Sequence, residues 1–289
     1  MIFRSKAPLR IGLAGGGTDV SPYCDLYGGA ILNTTISHAA YASIETLDAN
    51  KIIVETLDRK EKQEFSWDTI LPIDGELNLL KGVYNRIQKD YGIKKCGIRL
   101  STFVDAPAGS GLGTSSTLVV AILGAFIEML RLPFSQYDAA HYAYDIERNN
   151  LQLAGGRQDQ YAATFGGVNF MEFYKEDKVI VNPLRIRDEY MNEVENNLVL
   201  YFTSTSRESA EIIKEQVSNV NKKNEKSIEA MHQLKEQAKM MEEAFLKGKL
   251  NDIGEILDYG FQQKRLMAHN ISNTSIEEVY DAAKKAGAT

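Results

Sequence analysis

The chain has 289 residues, 44% of them hydrophobic, which is enough for two domains of ordinary size with buried cores. Its formal net charge of −6 argues against nucleic acid and anionic membrane surfaces as partners and favours small-molecule ligands. The two cysteines, Cys24 and Cys96, are too few for a disulfide framework or a zinc site, so we expect a reducing, cytoplasmic location.

We expect neither a targeting segment nor a membrane span. The apolar run near the N-terminus is interrupted by Arg10, unlike the core of a signal peptide. The longest uncharged apolar run, residues 118–127, is too short to cross a bilayer and ends at Glu128. The sequence therefore predicts a soluble protein.

Residues 2–13 predict a strand, which leads into the glycine-dense turn Gly15-Gly16-Gly17-Thr18-Asp19. Three successive glycines indicate either that the backbone approaches a ligand closely or that the chain turns a strained corner. The residues alone leave both interpretations open.

The next segments predict a mixed α and β region. Residues 39–47 and 52–57, rich in β-branched and aromatic side chains, predict a hairpin across a four-residue turn. Residues 76–91 place apolar side chains at helical spacing and predict an amphipathic helix. Residues 97–104 alternate apolar and polar side chains with period two, which predicts a strand.

A glycine-rich loop then joins this strand to an apolar segment, residues 118–130, that reads as a buried helix. Such a junction directs free backbone N–H groups and the positive end of a helix dipole at one point. We therefore predict a phosphate cradle; the alternative is that the glycines only shape a tight connection. The loop contains Pro107, Gly109, Ser110, Gly111, Leu112, Gly113, Thr114, Ser115 and Ser116.

Three common nucleotide-binding patterns do not fit this loop. A Walker loop has a lysine before its final Ser or Thr, whereas Gly113 is followed directly by Thr114. The dinucleotide fingerprint would need its third glycine at position 114. Protein kinases carry H-R-D and D-F-G motifs, which are missing from this sequence.

Ser135-x-x-Asp138 resembles a capping box and opens a predicted helix that runs to about residue 149, with Glu147 in its last turn. A second glycine loop follows, Gly155-Gly156-Arg157-Gln158-Asp159. Taken alone, a glutamate at a helix end is usually a solvated charge, and an aspartate after glycines is usually a turn former or helix cap.

The composition changes along the rest of the chain, from residue 167 onward. Residues 167–173, 179–182 and 197–203 predict strands, and long amphipathic helices begin at residue 207. Their apolar stripe reads as core, and the charged run 222–226 reads as a solvated turn. This shift predicts a domain boundary near residue 185. The stripe consists of Ile228, Met231, Leu234, Ala238, Met241 and Phe245.

These motifs, in this order, resemble the GHMP kinases over nearly the whole chain. Residues 107–116 are similar to the family motif P-x-x-x-G-L-G-S-S-A, with Thr114 for the first serine and Ser116 for the alanine. Residues 7–19 are similar to the first family motif. Residues 284–289 resemble the opening of a third, glycine-rich motif.

The resemblance implies an α+β, two-domain fold. We expect a mixed α/β nucleotide-binding domain over residues 1–185 and a ferredoxin-like, helix-rich domain over residues 186–289, incomplete at the third motif. It also implies that the cradle holds ATP, and that a magnesium ion takes Ser115 and Glu147 as ligands. Asp159 corresponds to the catalytic base, Arg10 pairs with it, and Lys6 is the rival for that pairing.

For the substrate, the resemblance implies a sugar held by Gly16, Gly17, Thr18, Asp19 and Tyr23, together with Arg157. Within the family these motifs look most like those of bacterial kinases that phosphorylate the C1 hydroxyl of a heptose 7-phosphate. Arg157, Lys81 and Arg4 are then candidates for the second anion site. A kinase for an unphosphorylated sugar such as fucose, and a non-catalytic sensor of the same fold, stay open as alternatives. A homodimer is compatible with the chain.

Overall fold

The computed structural model describes residues 1–67, 70–93, 97–203, 209–268 and 271–289. Their contacts divide the chain into two compact units whose segments alternate along the sequence. The first unit comprises Met1–Arg10, Thr35–Leu153 and Asp159–Gly166, and the second comprises Ile11–Thr34, Ala154–Gln158 and Gly167–Thr289. The predicted domain boundary near residue 185 stays a prediction.

Secondary structure follows the α+β expectation. Elements in chain order are β1 (Ile2–Ala14), α1 (Tyr23–Tyr27), β2 (Gly29–Leu47), β3 (Lys51–Thr56), β4 (Glu61–Ser66), α2 (Asn78–Tyr91), β5 (Gly97–Val104), α3 (Thr114–Leu130), α4 (Gln136–Asp145), a π-helical turn (Ile146–Asn150), α5 (Gln158–Phe165), β6 (Val168–Phe173), β7 (Val179–Pro183), α6 (Asp188–Asn197), α7 (Ser209–Asn221), α8 (Glu225–Lys247), a 3-10 turn (Leu250–Asp252), α9 (Ile253–Met267) and α10 (Thr274–Lys285). No helix among these described elements is long and apolar enough to span a bilayer.

In the first unit the strand order is β4-β3-β5, followed by residues 40–47 of β2. β5 runs antiparallel to β2, with Ala40 opposite Val104, and parallel to β3, with Ile52 opposite Ile98. The predicted hairpin of residues 39–57 is therefore wrong, because β5 lies between its two arms. The short turn predicted a chain reversal, but the pairing was decided by the apolar β5, which is buried best in the middle of the sheet.

Helices α2 and α3 pack on this sheet and form the core of the first unit. The predicted buried helix is confirmed as α3, where Ile122 and Phe126 are fully shielded from solvent. Its interior side chains contact those of α2 and of the sheet, including Leu80 and Leu100. The helix that follows the glycine-rich loop is therefore packed into the core from Ser116 to Phe126.

The predicted capping box is confirmed at the start of α4. The Ser135 hydroxyl accepts a hydrogen bond from the Asp138 backbone N–H, and the Asp138 carboxylate accepts one from the Ser135 N–H. The helix continues past Asp145 as the π-helical turn, which brings residue 147 into the interior of the unit.

In the second unit β6 lies between β7 and residues 29–34 of β2 and pairs antiparallel with both, with Gly29 opposite Phe173. The predicted apolar stripe is confirmed: it lies on the buried face of α8, and all its members are buried except Ile228, which is half-buried. The charged run 222–226 is exposed, as expected.

The predicted strand over residues 197–203 is wrong. Asn197 ends α6, and residues 198–203 pair with no described strand, while Val199 and Tyr201 are largely exposed. Alternating apolar residues fit a pleated strand, but a strand forms only where a neighbouring edge supplies hydrogen-bond partners.

The packing of α3 gives a stability prediction. Phe126→Ala should lower the free energy of unfolding by about 3–5 kcal/mol, because it removes a large side chain from a close-packed interior. Urea unfolding followed by circular dichroism measures the change. Glu128→Ala, at an exposed position of the same helix, is the control and should stay within about 0.5 kcal/mol. Equal losses in both variants would contradict the described packing.

Candidate active site

The predicted phosphate cradle connects β5 to the first residue of α3. Gly109, Gly111 and Gly113 have φ values of 77°, 78° and 75°, a left-handed conformation that side chains disfavour. Gly113, which has no side chain to cap the helix, occupies the N-cap of α3. The first backbone N–H groups of the helix can therefore bind an anion.

The cradle opens on a cavity of about 610 Å³, a size typical of small-molecule sites. One wall is the loop itself, and the others come from the ends of β3 and β5 and from α2. The lining residues are Thr56, Asp58, Arg59, Leu79, Val104, Asp105, Ala106, Pro107, Ala108, Gly109, Thr114, Ser115 and Leu118. Within the described residues, the buried Ser110 hydroxyl has no hydrogen-bond partner, which fits a loop built to bind a ligand.

The predicted pairing of Arg10 with Asp159 is present. Asp159 lies in the first turn of α5, and its Oδ1 accepts from Nε and Nη2 of Arg10, both at 2.8 Å. Arg10 Nη1 also donates to the Gly111 carbonyl at 2.6 Å, and the Arg10 backbone N–H donates to the Leu112 carbonyl at 3.2 Å. One arginine thus connects the proposed base to the cradle.

Lys6, the rival for that pairing, lies four residues earlier on β1 and is exposed. Its ammonium lies 5.6 Å from the centre of the Tyr41 ring, in a cation–π contact. Arg10 therefore holds the ion pair that the sequence left open between the two residues.

Glu147 lies in the π-helical turn and is only 1% exposed. Its Oε1 accepts from the hydroxyls of Ser115 at 3.3 Å and Ser116 at 3.0 Å, and its Oε2 accepts from the side-chain amide of Gln160. Burial raises the pKa of this carboxyl above its ordinary value. The Arg148 charge and the hydrogen bonds from Gln160 and Ser116 act in the opposite direction, and the nearby Asp159 charge adds to the effect of burial.

The pair of Ser115 and Glu147 fits a magnesium ion. Both offer hard oxygen ligands, and Ser115 also lines the cavity. The described residues contain no cluster of three or more His, Cys, Asp or Glu side chains suited to a metal. Mg²⁺ bound to a nucleotide usually takes one or two protein ligands, with phosphate oxygens and waters completing its shell. Ser116 is buried behind this pair and supports Glu147.

A second group of predicted residues lies in the second unit, around the turn Gly15-Gly16-Gly17. The Asp19 carboxylate accepts from the backbone N–H groups of Arg157 at 2.8 Å and Gln158 at 2.9 Å. Thr18 is fully buried, and its hydroxyl bonds to the carbonyls of Gly15 and Ala30. Asp19 therefore contacts the second glycine loop, residues 155–159, and the hydrogen bonds of Thr18 stabilise the turn.

The other predicted substrate residues are held in the interior of the second unit. Tyr23 is fully buried, with its hydroxyl 2.8 Å from His232 Nδ1. Arg157 forms ion pairs with Asp177 at 2.8 Å and Asp25 at 3.2 Å. These contacts fit a supporting role better than direct contact with a ligand, and the substrate role of both residues stays a prediction.

Sequence reasoning missed three polar side chains near these motifs. Gln160 donates to both Glu147 and Ser116, and its position directly after Asp159 was the available signal. Gln216 donates to the Gly17 carbonyl at 2.5 Å. Lys264 places its ammonium near Gly16. The last two are about 200 residues or more distant in sequence from the turn, and no local pattern marks them.

Comparison with known proteins identifies the relatives of this chain. Residues 78–167 match the family described as GHMP kinases N terminal domain. The chain is 44% identical, over 99% of its length and 84% of the relative, to the D-glycero-alpha-D-manno-heptose 7-phosphate kinase of Campylobacter jejuni. A crystal structure of a D-glycero-D-manno-heptose 1-phosphate kinase from Bacteriodes thetaiotaomicron is 46% identical to this chain, with a TM-score of 0.82 over 99% of this chain and 83% of that one. A mevalonate kinase structure, 17% identical with a TM-score of 0.72 over 99% of this chain and 85% of that one, shares the fold.

The contact between the cradle and the ion pair can be tested at two glycines. A methyl group at Gly113 would lie 3.3 Å from the Asp159 carboxylate and 3.4 Å from Arg10 Nε, whereas a methyl group at Gly111 would meet nothing within 4 Å. Both have positive φ, so alanine at either should cost about 1–2 kcal/mol of stability.

Gly113→Ala should additionally displace Asp159 and lower the rate of ATP consumption with a sugar acceptor at least ~10-fold more than Gly111→Ala does. Steady-state kinetics and urea unfolding of the two variants provide the comparison. Equal rates in both would mean that Gly113 does not position the ion pair.

The raised pKa of Glu147 predicts a pH-dependent metal requirement. A metal ion binds the ionised carboxylate, so affinity for Mg²⁺ in the presence of nucleotide should fall as pH decreases through that raised pKa. Glu147→Gln should bind Mg²⁺ weakly at every pH. The measurement is a magnesium titration by thermal shift between pH 5 and pH 8.

The metal-free protein provides a second readout of the same group. Because the folded-state pKa is raised, the wild type loses stability from this site as pH increases through it, and Glu147→Gln should remove that loss. Glu128→Gln, at an exposed position, is the control and should behave as the wild type. Identical pH profiles for wild type and Glu147→Gln would contradict the described burial.

Proposed function

Since the chain belongs to the GHMP kinase family, we propose that it is an ATP-dependent sugar kinase that phosphorylates the anomeric C1 hydroxyl of D-glycero-D-manno-heptose 7-phosphate. The products are ADP and heptose 1,7-bisphosphate. The observation that carries this proposal is 44% identity to the Campylobacter jejuni heptose 7-phosphate kinase, extending over 99% of this chain. The residues described above support the proposal, because they are of the kinds that such a reaction needs.

Phosphoryl transfer asks a protein mainly for positioning and charge neutralisation, because its transition state is loose and strongly anionic. The uncapped start of α3 offers backbone N–H groups to the phosphates of ATP, and the cavity of about 610 Å³ next to it has room for the rest of the nucleotide. Ser115 and Glu147 would hold Mg²⁺, which when bound neutralises charge on the β- and γ-phosphate oxygens.

Asp159 acts as the base in this proposal. Its carboxylate takes the proton of the C1 hydroxyl as that oxygen forms a bond to the γ-phosphorus, and the bond from the γ-phosphorus to ADP breaks. Arg10 keeps the carboxylate oriented through two charge-assisted hydrogen bonds of 2.8 Å. Arg10 also donates to the Gly111 carbonyl, so the same side chain connects the base to the cradle.

Asp19 is the proposed hydrogen-bond acceptor for sugar hydroxyl groups. Two backbone N–H groups hold one of its oxygens, which fixes the direction of the carboxylate. The adjacent glycine turn allows a ligand to approach the backbone closely.

Since ATP and sugar phosphates are cytoplasmic compounds, we place the reaction in the cytoplasm, where its product would supply activated heptose for capsule or lipopolysaccharide synthesis.

The identity of the acceptor can be tested directly. The test is informative because the names of the two relatives give different phosphate positions, C7 in one and C1 in the other. The protein is incubated with ATP and, separately, with heptose 7-phosphate, heptose 1-phosphate or fucose, and the products are examined by phosphorus NMR. We expect a new anomeric phosphate signal only with heptose 7-phosphate. Phosphorylation of another acceptor alone would replace the proposed substrate.

The role of the base predicts the behaviour of one variant. Asp159→Asn should lower kcat about 10²–10⁴-fold, because the amide cannot accept the hydroxyl proton, while the KM for ATP stays near the wild-type value. Steady-state kinetics with heptose 7-phosphate measure both constants. Asp281→Asn, at an exposed position of α10, is the control and should retain full activity. Wild-type kcat in Asp159→Asn would mean that another group takes the proton.

A further inference from the structure

A closed set of hydrogen bonds lies on the buried side of the candidate magnesium ligand Glu147. Gln160, on α5, is fully buried, and its amide nitrogen donates to Glu147 Oε2 and, at 3.1 Å, to the Ser116 hydroxyl. The Ser116 hydroxyl in turn donates to Glu147 Oε1 at 3.0 Å. These three residues, which we call the Glu147 network, therefore hold both oxygens of the carboxylate.

The Gln160 amide has a defined orientation in this network. In the reversed orientation its Oε1 would face Glu147 Oε2, and two acceptor oxygens repel each other. In the observed orientation Oε1 is buried without a hydrogen-bond partner among the described residues, which costs free energy. The contacts with Glu147 and Ser116 outweigh this cost, so they determine how the amide is turned.

The opposite side of the carboxylate is the one that adjoins the cavity. Ser115 is exposed, lines the cavity of about 610 Å³ and donates to Glu147 Oε1 at 3.3 Å, whereas Ser116 and Gln160 are buried. A cation that approaches from the cavity thus meets Ser115 first, next to the oxygen that this serine contacts. From this geometry, and on the basis of the function proposed above, we propose that Gln160 is a positioning residue that holds Glu147 so that Oε1 is presented to Mg²⁺ beside Ser115.

Gln160 also connects this carboxylate to the proposed base. It directly follows Asp159 in the first turn of α5, and Asp159 pairs with Arg10 at 2.8 Å. Successive residues of one helix therefore hold the base and the metal ligand. A change that displaced the whole helix would disturb both groups, whereas loss of the Gln160 amide alone should affect the metal.

A metal ligand whose orientation is fixed in advance binds the ion more tightly, because less conformational freedom is lost on binding. Removing a hydrogen-bond partner of a metal ligand typically lowers metal affinity ~10–100-fold. Since nucleotide phosphates would supply further ligands to Mg²⁺, we expect an effect of about 10-fold, at the lower end of this range.

The test measures how much Mg²⁺ strengthens nucleotide binding. Calorimetry gives the affinity for a non-hydrolysable ATP analogue with and without Mg²⁺, for wild type, Gln160→Met and Gln160→Leu. In both variants the gain in affinity from Mg²⁺ should be about 10-fold smaller than in wild type, while the affinity without Mg²⁺ should not change. Thermal unfolding without metal shows which variants are folded, and two apolar replacements of different shape keep the test informative if one is unstable.

A double variant separates positioning from general structural support. In the Glu147→Gln background, Gln160→Met should cause no further loss of the Mg²⁺ gain, because the ligand that it positions is already gone. Thr164→Val is the matched control on the same helix. The Thr164 hydroxyl donates to the backbone carbonyl of Gln160 at 2.7 Å and is not a member of the Glu147 network, so we expect the wild-type gain.

The possible failures are distinguishable. An unchanged Mg²⁺ gain in the folded Gln160 variants, or an equal further loss in the Glu147→Gln background, would overturn the role of Gln160 alone. A wild type whose nucleotide affinity does not depend on Mg²⁺ would overturn the metal role of Glu147 as well. Failure of the wild type to phosphorylate heptose 7-phosphate would overturn the proposed function, whereas the binding measurements use no sugar and would still decide the role of Gln160.

Discussion

The ion pair between Arg10 and Asp159 is the contact on which the site of the first unit depends. The arginine places two nitrogens on one carboxylate oxygen, a third nitrogen on the Gly111 carbonyl and its backbone N–H on the Leu112 carbonyl. A lysine could not make this set of contacts, because its ammonium is a single point charge on a flexible stem. Arg10 is itself held in β1, so the sheet determines where the base and the loop lie.

The second carboxylate of this site has a different environment, and the difference suits a different task. Glu147 is buried against two serine hydroxyls and the amide of Gln160, and burial raises its pKa. A buried carboxylate gains most from a neighbouring cation, because its charge is poorly solvated. The π-helical turn widens the helix by one residue per turn, and this change of register accompanies the inward position of Glu147.

In the second unit, close backbone approach determines the surroundings of Asp19. A methyl group at Gly156 would lie only 1.9 Å from Asp19 Oδ2, and one at Gly15 would lie 2.0 Å from the Ala30 carbonyl oxygen. Glycine is therefore required at both positions, because any side chain would push Asp19 or the turn away. The result is a carboxylate fixed by backbone N–H groups, a support that does not depend on flexible side chains.

The sequence alone determined the features that arise from nearby residues. The capping box at Ser135, the glycine cradle before α3, the apolar stripe of α8 and the order of the motifs carrying Arg10, Glu147 and Asp159 could all be predicted, because each is a local pattern. Tertiary structure decided what depends on distant partners. β5 lies between β2 and β3, and residues 198–203 have no described strand partner. Arg10, not Lys6, pairs with Asp159. Arg157 lies among acidic side chains, and Lys264 lies next to Gly16. The reason is physical: strand pairing and side-chain charge contacts are selected by burial and distance in the folded chain, and spacing along the sequence specifies neither.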